Sequence, residues 1–167
     1  MRIIKHMINE EQYEKLSAPF RSEKWINLLN LLNQVTKYLM YFGYFFLVYL
    51  SIHKGLVIKT ILIPGIGFIL VTIFRKLYSA PRHYEVLNIK PLIHKDTVGK
   101  SFPSRHCFSA TIISMTACYV IGVYGIFFWI DTLLIYGLRI IGGIHFPKDV
   151  LGGCMIGIVL GTLFWIL

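Results

Sequence analysis

Charged residues are scarce in this sequence, where Asp, Glu, Lys and Arg make up 15% of the 167 residues. Soluble domains usually carry about 25% charged residues, so this scarcity argues against a water-soluble domain. Hydrophobic residues make up 56% of the chain and its mean hydropathy is +0.64, values typical of a membrane protein. A chain of this length is expected to form a single domain.

Acidic residues are the scarcer charged type, since 8 Asp and Glu stand against 17 Lys and Arg and give a net charge of +9. Such a charge could serve nucleic-acid binding, but the sequence offers no basic, soluble face for that purpose. Basic residues of membrane proteins set the topology and contact anionic headgroups. We therefore expect membrane lipids as partners and no nucleic acid.

Cysteines are also few. Cys107, Cys118 and Cys154 all lie in apolar runs, and an odd number without loop positions argues against a disulfide framework. The sequence has no CxxC pair and no Cys–His pair at metal-binding spacing. The three cysteines are best interpreted as small buried hydrophobic residues. We expect neither a bound metal nor a cofactor.

Five apolar segments come close to the roughly 20 residues that a helix needs to cross a bilayer. They comprise residues 35–52, 55–74, 107–123, 126–141 and 150–167. The fourth segment is short and contains Asp131, so it is better interpreted as one arm of a helical hairpin that turns at residues 122–125. The sequence therefore predicts an all-α fold, a polytopic transmembrane helix bundle with about five spans.

The first 33 residues are predicted to form a separate polar segment, ahead of a transmembrane domain at residues 34–167. Four glutamates in this segment argue against a cleavable signal peptide. Asn27, Asn30 and Asn33 recur every third residue among Leu and Ile, a pattern that suits an amphipathic helix in the headgroup region. The alternative is that this stretch extends the first span as one long helix, and the sequence favours neither.

Polar side chains gather at one end of the predicted bundle when the five spans alternate in direction. The span ends on that face carry Arg75, Lys76, Arg82, His83, Ser104, Arg105, His106, Arg139, His145 and Asp149. Ionisable residues at membrane depth are costly and are functional candidates by default. Several arginines around two histidines and an aspartate favour a phosphate ligand, because guanidinium groups donate bidentate hydrogen bonds to phosphate.

Two of these clusters also lie at predicted helix starts. Ser104 is predicted to cap one helix and Pro147 to open another, and the free N–H groups of helix N-termini attract phosphate. Asp149, four residues after His145, can accept a hydrogen bond from one imidazole nitrogen and leave the other as a nucleophile. His106, from a different helix, is the candidate general acid. These residue types predict phosphoryl transfer through a phosphohistidine.

Two other interpretations stay open. A single arginine at the end of a span is commonly a snorkelling anchor, and a single His-x3-Asp pair is common on helix surfaces. A zinc site could involve His83, His106, His145 and Asp149, although no pair of histidines has close ligand spacing. Neither interpretation explains why all the clusters fall at one end of the bundle.

The clusters resemble the three signature motifs of the type 2 phosphatidic acid phosphatase superfamily, which also contains vanadium haloperoxidases. The first family motif is Lys, six residues and Arg-Pro, and here it is matched by Arg75, six residues and Arg82-His83. The second motif is Pro-Ser-Gly-His, and here residues 103–106 read Pro-Ser-Arg-His, with Arg105 at the Gly position.

The third motif is the most specific of the three. In the family it reads Ser-Arg, five residues, His, three residues and Asp. Here Leu138-Arg139, five residues, His145, three residues and Asp149 keep all of it but the Ser. The order of the motifs and their positions relative to the predicted spans also fit. The family bundle is usually described with six spans, so its first helix would be reduced here to the interfacial one.

The resemblance implies a metal-independent lipid phosphate phosphatase embedded in the membrane. It implies that His145 is the nucleophile, Asp149 its orienting partner and His106 the general acid. The phosphate-binding residues that it implies are Arg75, Arg82, Ser104 and Arg139. Arg105 could bind a second phosphate group of a diphosphate or, alternatively, a lipid headgroup. Candidate substrates are undecaprenyl diphosphate, phosphatidylglycerol phosphate and phosphatidic acid.

Two questions about this interpretation stay open. The chain could be a catalytically degenerate, anion- or lipid-binding protein of the same fold, although the retention of His106, His145 and Asp149 together argues against it. The side of the membrane is the other question. All of the 17 Lys and Arg except Lys54 and Lys59 fall on the face of the motifs, which predicts a cytoplasmic site in a bacterial plasma membrane. The resemblance implies the opposite, extracytoplasmic face.

Overall fold

The computed structural model describes residues 8–87, 89–93 and 98–167, and all regular secondary structure within these ranges is helical. In chain order, the α-helices of the described ranges are α1 (Glu10–Ser17), α2 (Glu23–His53), α3 (Val57–Tyr78), α4 (His83–Val86), α5 (Arg105–Ile121), α6 (Ile126–Ile141), α7 (Pro147–Gly161) and α8 (Leu163–Ile166). Short 3-10 turns at Ala18–Phe20 and Gly122–Gly125 join α1 to α2 and α5 to α6. Residues 1–7 of the predicted N-terminal segment lie outside the described residues.

Within the described ranges, four helical stretches are long and apolar enough to cross a membrane. They are Glu23–His53, Val57–Val86, Arg105–Ile141 and Pro147–Ile166. The third stretch consists of α5 and α6, which pack against each other on either side of the 3-10 turn. Each of the five predicted apolar segments therefore corresponds to a helix, and the prediction of an all-α membrane helix bundle is confirmed.

The hairpin between α5 and α6 turns at the predicted glycine pair. Gly122 has a φ of +61°, a left-handed value that residues with a side chain rarely adopt. Gly125 lies against the backbone of α5, where a Cβ atom would come within 2.7 Å of Cys118 Cα. The two helices can fold back on each other this tightly because neither position carries a side chain.

Helix α2 is continuous through the predicted boundary at residues 33 and 34. Its 31 residues span about 46 Å, more than the roughly 30 Å of a hydrocarbon core. The Asn-containing stretch therefore extends the first span, which was one of the two alternatives. No separate interfacial helix forms at residues 23–33. The shorter helix α1 precedes it and packs against α6.

Two hydrophobic clusters hold the helices in place. The larger lies inside the bundle and includes Leu47, Phe108, Ile112 and Phe164. The smaller lies at the end of the bundle that carries the motifs. It joins Leu29 of α2 to Leu92, Ile93, Leu138 and Ile144. This second cluster explains why α2 extends so far, because its first turns cover the loops that carry the polar residues.

Helices α5 and α7 approach closely along a stripe of glycines on α7. A Cβ atom would lie 2.6 Å from Ser104 O at Gly153, from Thr111 Cβ at Gly157 and from Met115 Cγ at Gly161. Small residues at four-residue spacing allow helices to pack closely in lipid. The stripe is thus a packing feature, and it brings the first turns of α5 and α7 together at the motif end.

Candidate active site

His145 lies in the loop between α6 and α7, and its side chain is buried. Its Nδ1 is 3.1 Å from Ser101 Oγ and 3.4 Å from Asp149 Oδ2. Ser101 Oγ donates a hydrogen bond to Asp149 Oδ2 at 2.5 Å, so its lone pairs can accept from Nδ1–H of His145. This geometry keeps the imidazole proton on Nδ1 and leaves the lone pair on Nε2.

Asp149 joins the starts of α5 and α7. Helix α7 opens at Pro147 as predicted, and the Asp149 carboxylate accepts the N–H of Phe146 at 3.1 Å. The backbone carbonyl of Asp149 accepts the N–H of Ser104 at 2.9 Å. One residue therefore fixes the entry of α7, the orientation of His145 and the position of Ser104, the residue that precedes α5.

Arg75, near the end of α3, hydrogen-bonds to the segment that leads into α5. Its Nη1 donates to the carbonyl oxygen of Ser101 at 3.0 Å and also to that of Pro103. The guanidinium is nearly buried. Arg75 is a predicted phosphate-binding residue, and its Nη1 holds the backbone on both sides of residue 102.

Arg82 is held just beyond α3 by Glu85. The Glu85 carboxylate accepts the backbone N–H of Arg82 at 2.7 Å and that of Gly99 at 2.8 Å. Arg82 Nε in turn donates to Gly99 O at 3.0 Å. The acidic side chain and the guanidinium together fix the segment that precedes Ser101.

Three buried donors in the described part of the chain form a candidate anion-binding site. Arg82 Nη1, Ser104 Oγ and Arg139 Nε have no hydrogen-bond partner among the described residues, although each side chain is at most 4% exposed. Buried polar atoms are nearly always hydrogen-bonded, so unpartnered ones need an explanation. A phosphate supplies acceptor oxygens for all three, and guanidinium–phosphate bonds are among the strongest in proteins.

Ser104 occupies the predicted N-cap position of α5, but its hydroxyl makes no capping hydrogen bond. It is therefore available to a ligand at the helix N-terminus, where the dipole favours an anion. Arg139, in the last turn of α6, is tied to the candidate nucleophile, because its carbonyl oxygen accepts the N–H of His145 at 3.2 Å. The structure thus brings Ser104, Arg139, His145 and Asp149 together.

His106 and Arg105 lie to one side of this buried group. His106 is half-buried and Arg105 is exposed. Together with Arg139, they line part of an open cavity of about 430 Å³ between α2, α3, α5 and α6. The remaining walls are mostly apolar and include Phe68 and Ile112. The cavity connects the edge of the candidate site with the interior of the bundle.

Burial controls the charge of His145. It lowers the pKa of the imidazole to about 4, because desolvation outweighs the attraction of Asp149 and is reinforced by the positive charges of Arg82 and Arg139. His145 is therefore neutral at pH 7. A neutral imidazole has the lone pair that nucleophilic attack requires.

The zinc interpretation finds no support in the described part of the chain, where no three His, Cys, Asp or Glu side chains form a group that could hold a metal ion. His83 packs between two aromatic rings. Its ring lies edge-on to Tyr13 at 5.1 Å and 4.4 Å from the ring of Phe146. It fills space beside the loop of His145.

Sequence reasoning missed Ser101, Glu85 and Tyr13. Ser101 is wholly buried and contacts both His145 and Asp149, yet no pattern in the sequence distinguishes it from other serines. Tyr13 is also wholly buried and donates its hydroxyl to Ile141 O at 3.2 Å. It comes from a polar segment with no apparent link to the motifs. The only available signal was a polar residue close to a motif, and it applied to Ser101 and Glu85 but not to Tyr13.

Two solved structures resemble this fold. The crystal structure of Aquifex aeolicus LpxE superposes with a TM-score of 0.78 over 100% of both chains, at 24% sequence identity. The crystal structure of a transmembrane PAP2 type phosphatidylglycerolphosphate phosphatase from Bacillus subtilis superposes with a TM-score of 0.60. That match has 19% identity and covers 92% of this chain and 90% of the other. Both similarities concern the fold.

Sequence comparison adds a relative and a family. The undecaprenyl-diphosphatase BcrC of Bacillus subtilis (strain 168) is 32% identical over 116 residues, which cover 64% of this chain. The matched part spans 57% of the length of that relative. The profile of the PAP2 superfamily matches residues 56–167, a range that contains all three motifs. The chain therefore belongs to the PAP2 superfamily.

Proposed function

We propose that this chain is an integral membrane phosphatase that hydrolyses a lipid phosphate or diphosphate through a phosphohistidine intermediate. The observation that carries the proposal is the Ser101–His145–Asp149 hydrogen-bonded group beside three buried, unpartnered donors. A nucleophile held in one tautomer and a set of phosphate ligands are the two parts that phosphoryl transfer needs.

In the first step, Nε2 of His145 attacks the terminal phosphorus atom. The bond from phosphorus to the bridging oxygen breaks, and that oxygen leaves with the electron pair. His106 is the candidate donor of the proton that the leaving oxygen takes up. Arg82, Arg139 and Ser104 stabilise the charge on the oxygens of the transferred phosphoryl group.

In the second step, water attacks the phosphohistidine and the N–P bond breaks. The electron pair returns to Nε2 of His145 and inorganic phosphate is released. His106, deprotonated by the first step, accepts a proton from the water and is restored. Throughout, Ser101 and Asp149 hold the Nδ1 side of the His145 ring, so the nucleophile returns to its starting orientation.

The proposed substrate is a lipid, because the cavity beside His106 has largely apolar walls and lies within the bundle. Undecaprenyl diphosphate, phosphatidylglycerol phosphate and phosphatidic acid all carry a terminal phosphate on a molecule with long apolar chains. The relative that shares 32% identity is an undecaprenyl-diphosphatase, which favours the first of these.

Phosphate release by the purified full chain tests the proposal. We expect release from farnesyl diphosphate by the wild type and its loss, by a factor of about 10³ or more, in His145→Gln. Rapid quenching into base after addition of substrate labelled in the terminal phosphate should trap label on His145. His53→Gln, at the opposite end of the bundle, is the matched control and should keep wild-type activity. An active His145→Gln variant would contradict the mechanism.

Two rival functions predict different results in the same assay. A catalytically degenerate, anion- or lipid-binding protein would release no phosphate from farnesyl diphosphate or from any of the three candidate lipids. A zinc hydrolase would lose activity on dialysis against EDTA, whereas the phosphohistidine mechanism predicts none lost.

The membrane side is part of the proposal. We place the site on the cytoplasmic face of a bacterial plasma membrane, because the basic residues concentrate at the motif end of the bundle.

A further inference from the structure

We propose that Lys37 and Arg105 form a second phosphate subsite, which holds the phosphate that stays on the lipid after the terminal one is removed. The preferred substrate class is then a lipid diphosphate rather than a lipid monophosphate. This inference rests on the proposed function and specifies the substrate class of the same site.

Lys37 and Arg105 line the same cavity from two neighbouring helices, α2 and α5. They also lie at the same depth. Lys37 lies sixteen residues before the end of α2 at His53, and Arg105 lies sixteen residues before the end of α5 at Ile121. Each interval corresponds to about 24 Å along a helix axis.

The C-terminal ends of α2 and α5, from which these intervals are counted, lie side by side. Lys54, directly after α2, donates a hydrogen bond from Nζ to Val120 O near the end of α5, at 2.6 Å. Lys37 and Arg105 therefore lie at similar heights on two neighbouring helices that line the cavity.

No ion pair joins either cation to a carboxylate within the ranges that the structure describes. Lys37 is half-buried, with Nζ 4.5 Å from the ring centre of Tyr38. The Arg105 guanidinium carbon lies 5.8 Å from the ring centre of Phe68. Half-buried Lys37 carries a positive charge at the edge of a membrane bundle, which is costly unless an anion joins it, and exposed Arg105 is free to reach the same anion.

The reaction geometry indicates where such an anion would lie. His106 and Arg139 line both the candidate site and the cavity, so the oxygen that leaves the terminal phosphorus faces the cavity. With a diphosphate, the leaving group is a lipid monophosphate, which carries additional negative charge as the bridging bond breaks. Cations on either side stabilise that charge.

The same two cations stabilise the transition state of a lipid monophosphate much less. Its leaving group is a lipid hydroxyl, which is neutral once His106 has protonated it. The Lys37–Arg105 subsite therefore discriminates between the two substrates in the transition state, and the apolar walls farther along the cavity receive the lipid chain in both cases.

The test compares farnesyl diphosphate with farnesyl monophosphate, using the purified full chain in detergent micelles. The measured quantity is the ratio of kcat/KM for the diphosphate to kcat/KM for the monophosphate. We expect this ratio to fall about tenfold or more in Lys37→Gln and in Arg105→Gln, since each removes a charge-assisted contact. Lys37→Arg keeps the charge and should restore most of the ratio.

Lys59→Gln is the matched control. Lys59 is also a half-buried lysine within a span and lies over an aromatic ring, that of Tyr119 at 5.8 Å, but it is outside the cavity. Its substitution should leave the ratio unchanged. If Lys37 and Arg105 only contact headgroups of surrounding lipids, their variants will change both rates equally, and an unchanged ratio overturns the subsite.

A binding measurement separates this inference from the proposed function. A wild type that hydrolyses neither compound contradicts the proposed function, but the subsite can still be tested with farnesyl methylenediphosphonate, which cannot be hydrolysed at the bridge. We expect the Lys37→Gln/Arg105→Gln double variant to raise its Kd about tenfold or more. An equal Kd for the wild type and the double variant overturns the subsite whatever the activity.

Discussion

Ser101 Oγ lies 2.5 Å from Oδ2 of Asp149, closer than the 3.4 Å that separates the same oxygen from Nδ1 of His145. With 3.1 Å between Ser101 Oγ and Nδ1, the hydroxyl connects the imidazole to the carboxylate. All three side chains are buried, so water does not compete for these contacts. The tautomer of the candidate nucleophile thus depends on a serine that precedes the second motif.

Ser101→Ala should lower kcat by about ten- to a hundredfold and change KM little, the range known for residues that orient metal-bound histidines through a hydrogen bond. Ser101→Thr keeps the hydroxyl and should restore part of the activity. Phosphate release by the purified chain measures both. Ser51→Ala is the matched control, because Ser51 is equally buried but bonds Val48 O within α2. Full activity in Ser101→Ala would show that Asp149 suffices alone.

The buried neutral imidazole of His145 should make stability depend on pH. Its pKa is about 4 in the folded chain, while an exposed imidazole has a pKa of about 6.5. Between these values the unfolded chain binds more protons, so stability is greatest above pH 6.5 and falls as the pH decreases towards 4. The slope due to this one group is about 1.4 kcal/mol per pH unit.

Thermal unfolding in detergent from pH 7 to pH 4 tests this pH dependence, with His145→Asn as the comparison. The difference in Tm between the two proteins should shrink as the pH falls. Parallel pH profiles would contradict a neutral His145. For the same reason, protonation of His145 should limit activity only near pH 4, well below the pKa of an exposed histidine.

Gly153→Ala should destabilise the chain by about 1–3 kcal/mol and reduce activity. The new Cβ would lie 2.6 Å from Ser104 O and 3.0 Å from Phe108 N, both backbone atoms of the α5 start. Separation of α5 from α7 there would also break the bond between Ser104 and Asp149. Gly137→Ala is the matched control, since a Cβ at Gly137 meets no atom within 4 Å. Equal Tm values for the two variants would contradict this account of the glycine stripe.

Tyr13 should stabilise the loop of His145 from outside the bundle. Its hydroxyl donates to Ile141 O, and its ring lies against Gly143, whose φ is +73°. Tyr13→Phe should lower the free energy of unfolding by about 1 kcal/mol, the usual contribution of one hydrogen bond. Tyr13→Ala should lower it by about 3–5 kcal/mol, because the substitution leaves a cavity. Tm in detergent measures both.

Leu16→Ala is the control for Tyr13. Leu16 lies on the same helix with 39% of its surface exposed and should change stability by less than about 0.5 kcal/mol. If Tyr13→Ala and Leu16→Ala behave alike, α1 does not support the loop of His145.

The cytoplasmic placement predicts opposite labelling of two engineered cysteines. Val98 is 78% exposed beside the candidate site, and Val123 is 80% exposed in the turn at the other end of α5. An impermeant thiol reagent should label Val123→Cys in intact cells and Val98→Cys only after permeabilisation. The wild-type chain, whose Cys107 is buried and whose Cys118 and Cys154 are half-buried, gives the background. The reverse pattern would place the site outside.

Much of the fold could be predicted because lipid imposes local rules. A backbone in hydrocarbon must satisfy its own hydrogen bonds, so apolar runs such as residues 35–52 and 150–167 become helices. The glycines at 122 and 125 marked the hairpin turn for an equally local reason. The exception is α2, whose start at Glu23 depends on Leu29 packing against loops far along the chain.

The candidate site, like the fold, could be predicted from the sequence only in part. The sequence by itself determined that the site has membrane helices around it and that His106, His145, Asp149 and the arginines meet at one end, because helix direction and span ends follow from local pattern. Only the tertiary structure decided that Ser101 links His145 to Asp149 and that Tyr13 supports their loop. Those contacts join residues 44 to 128 positions apart, and their geometry depends on how the helices pack, which no short-range pattern encodes.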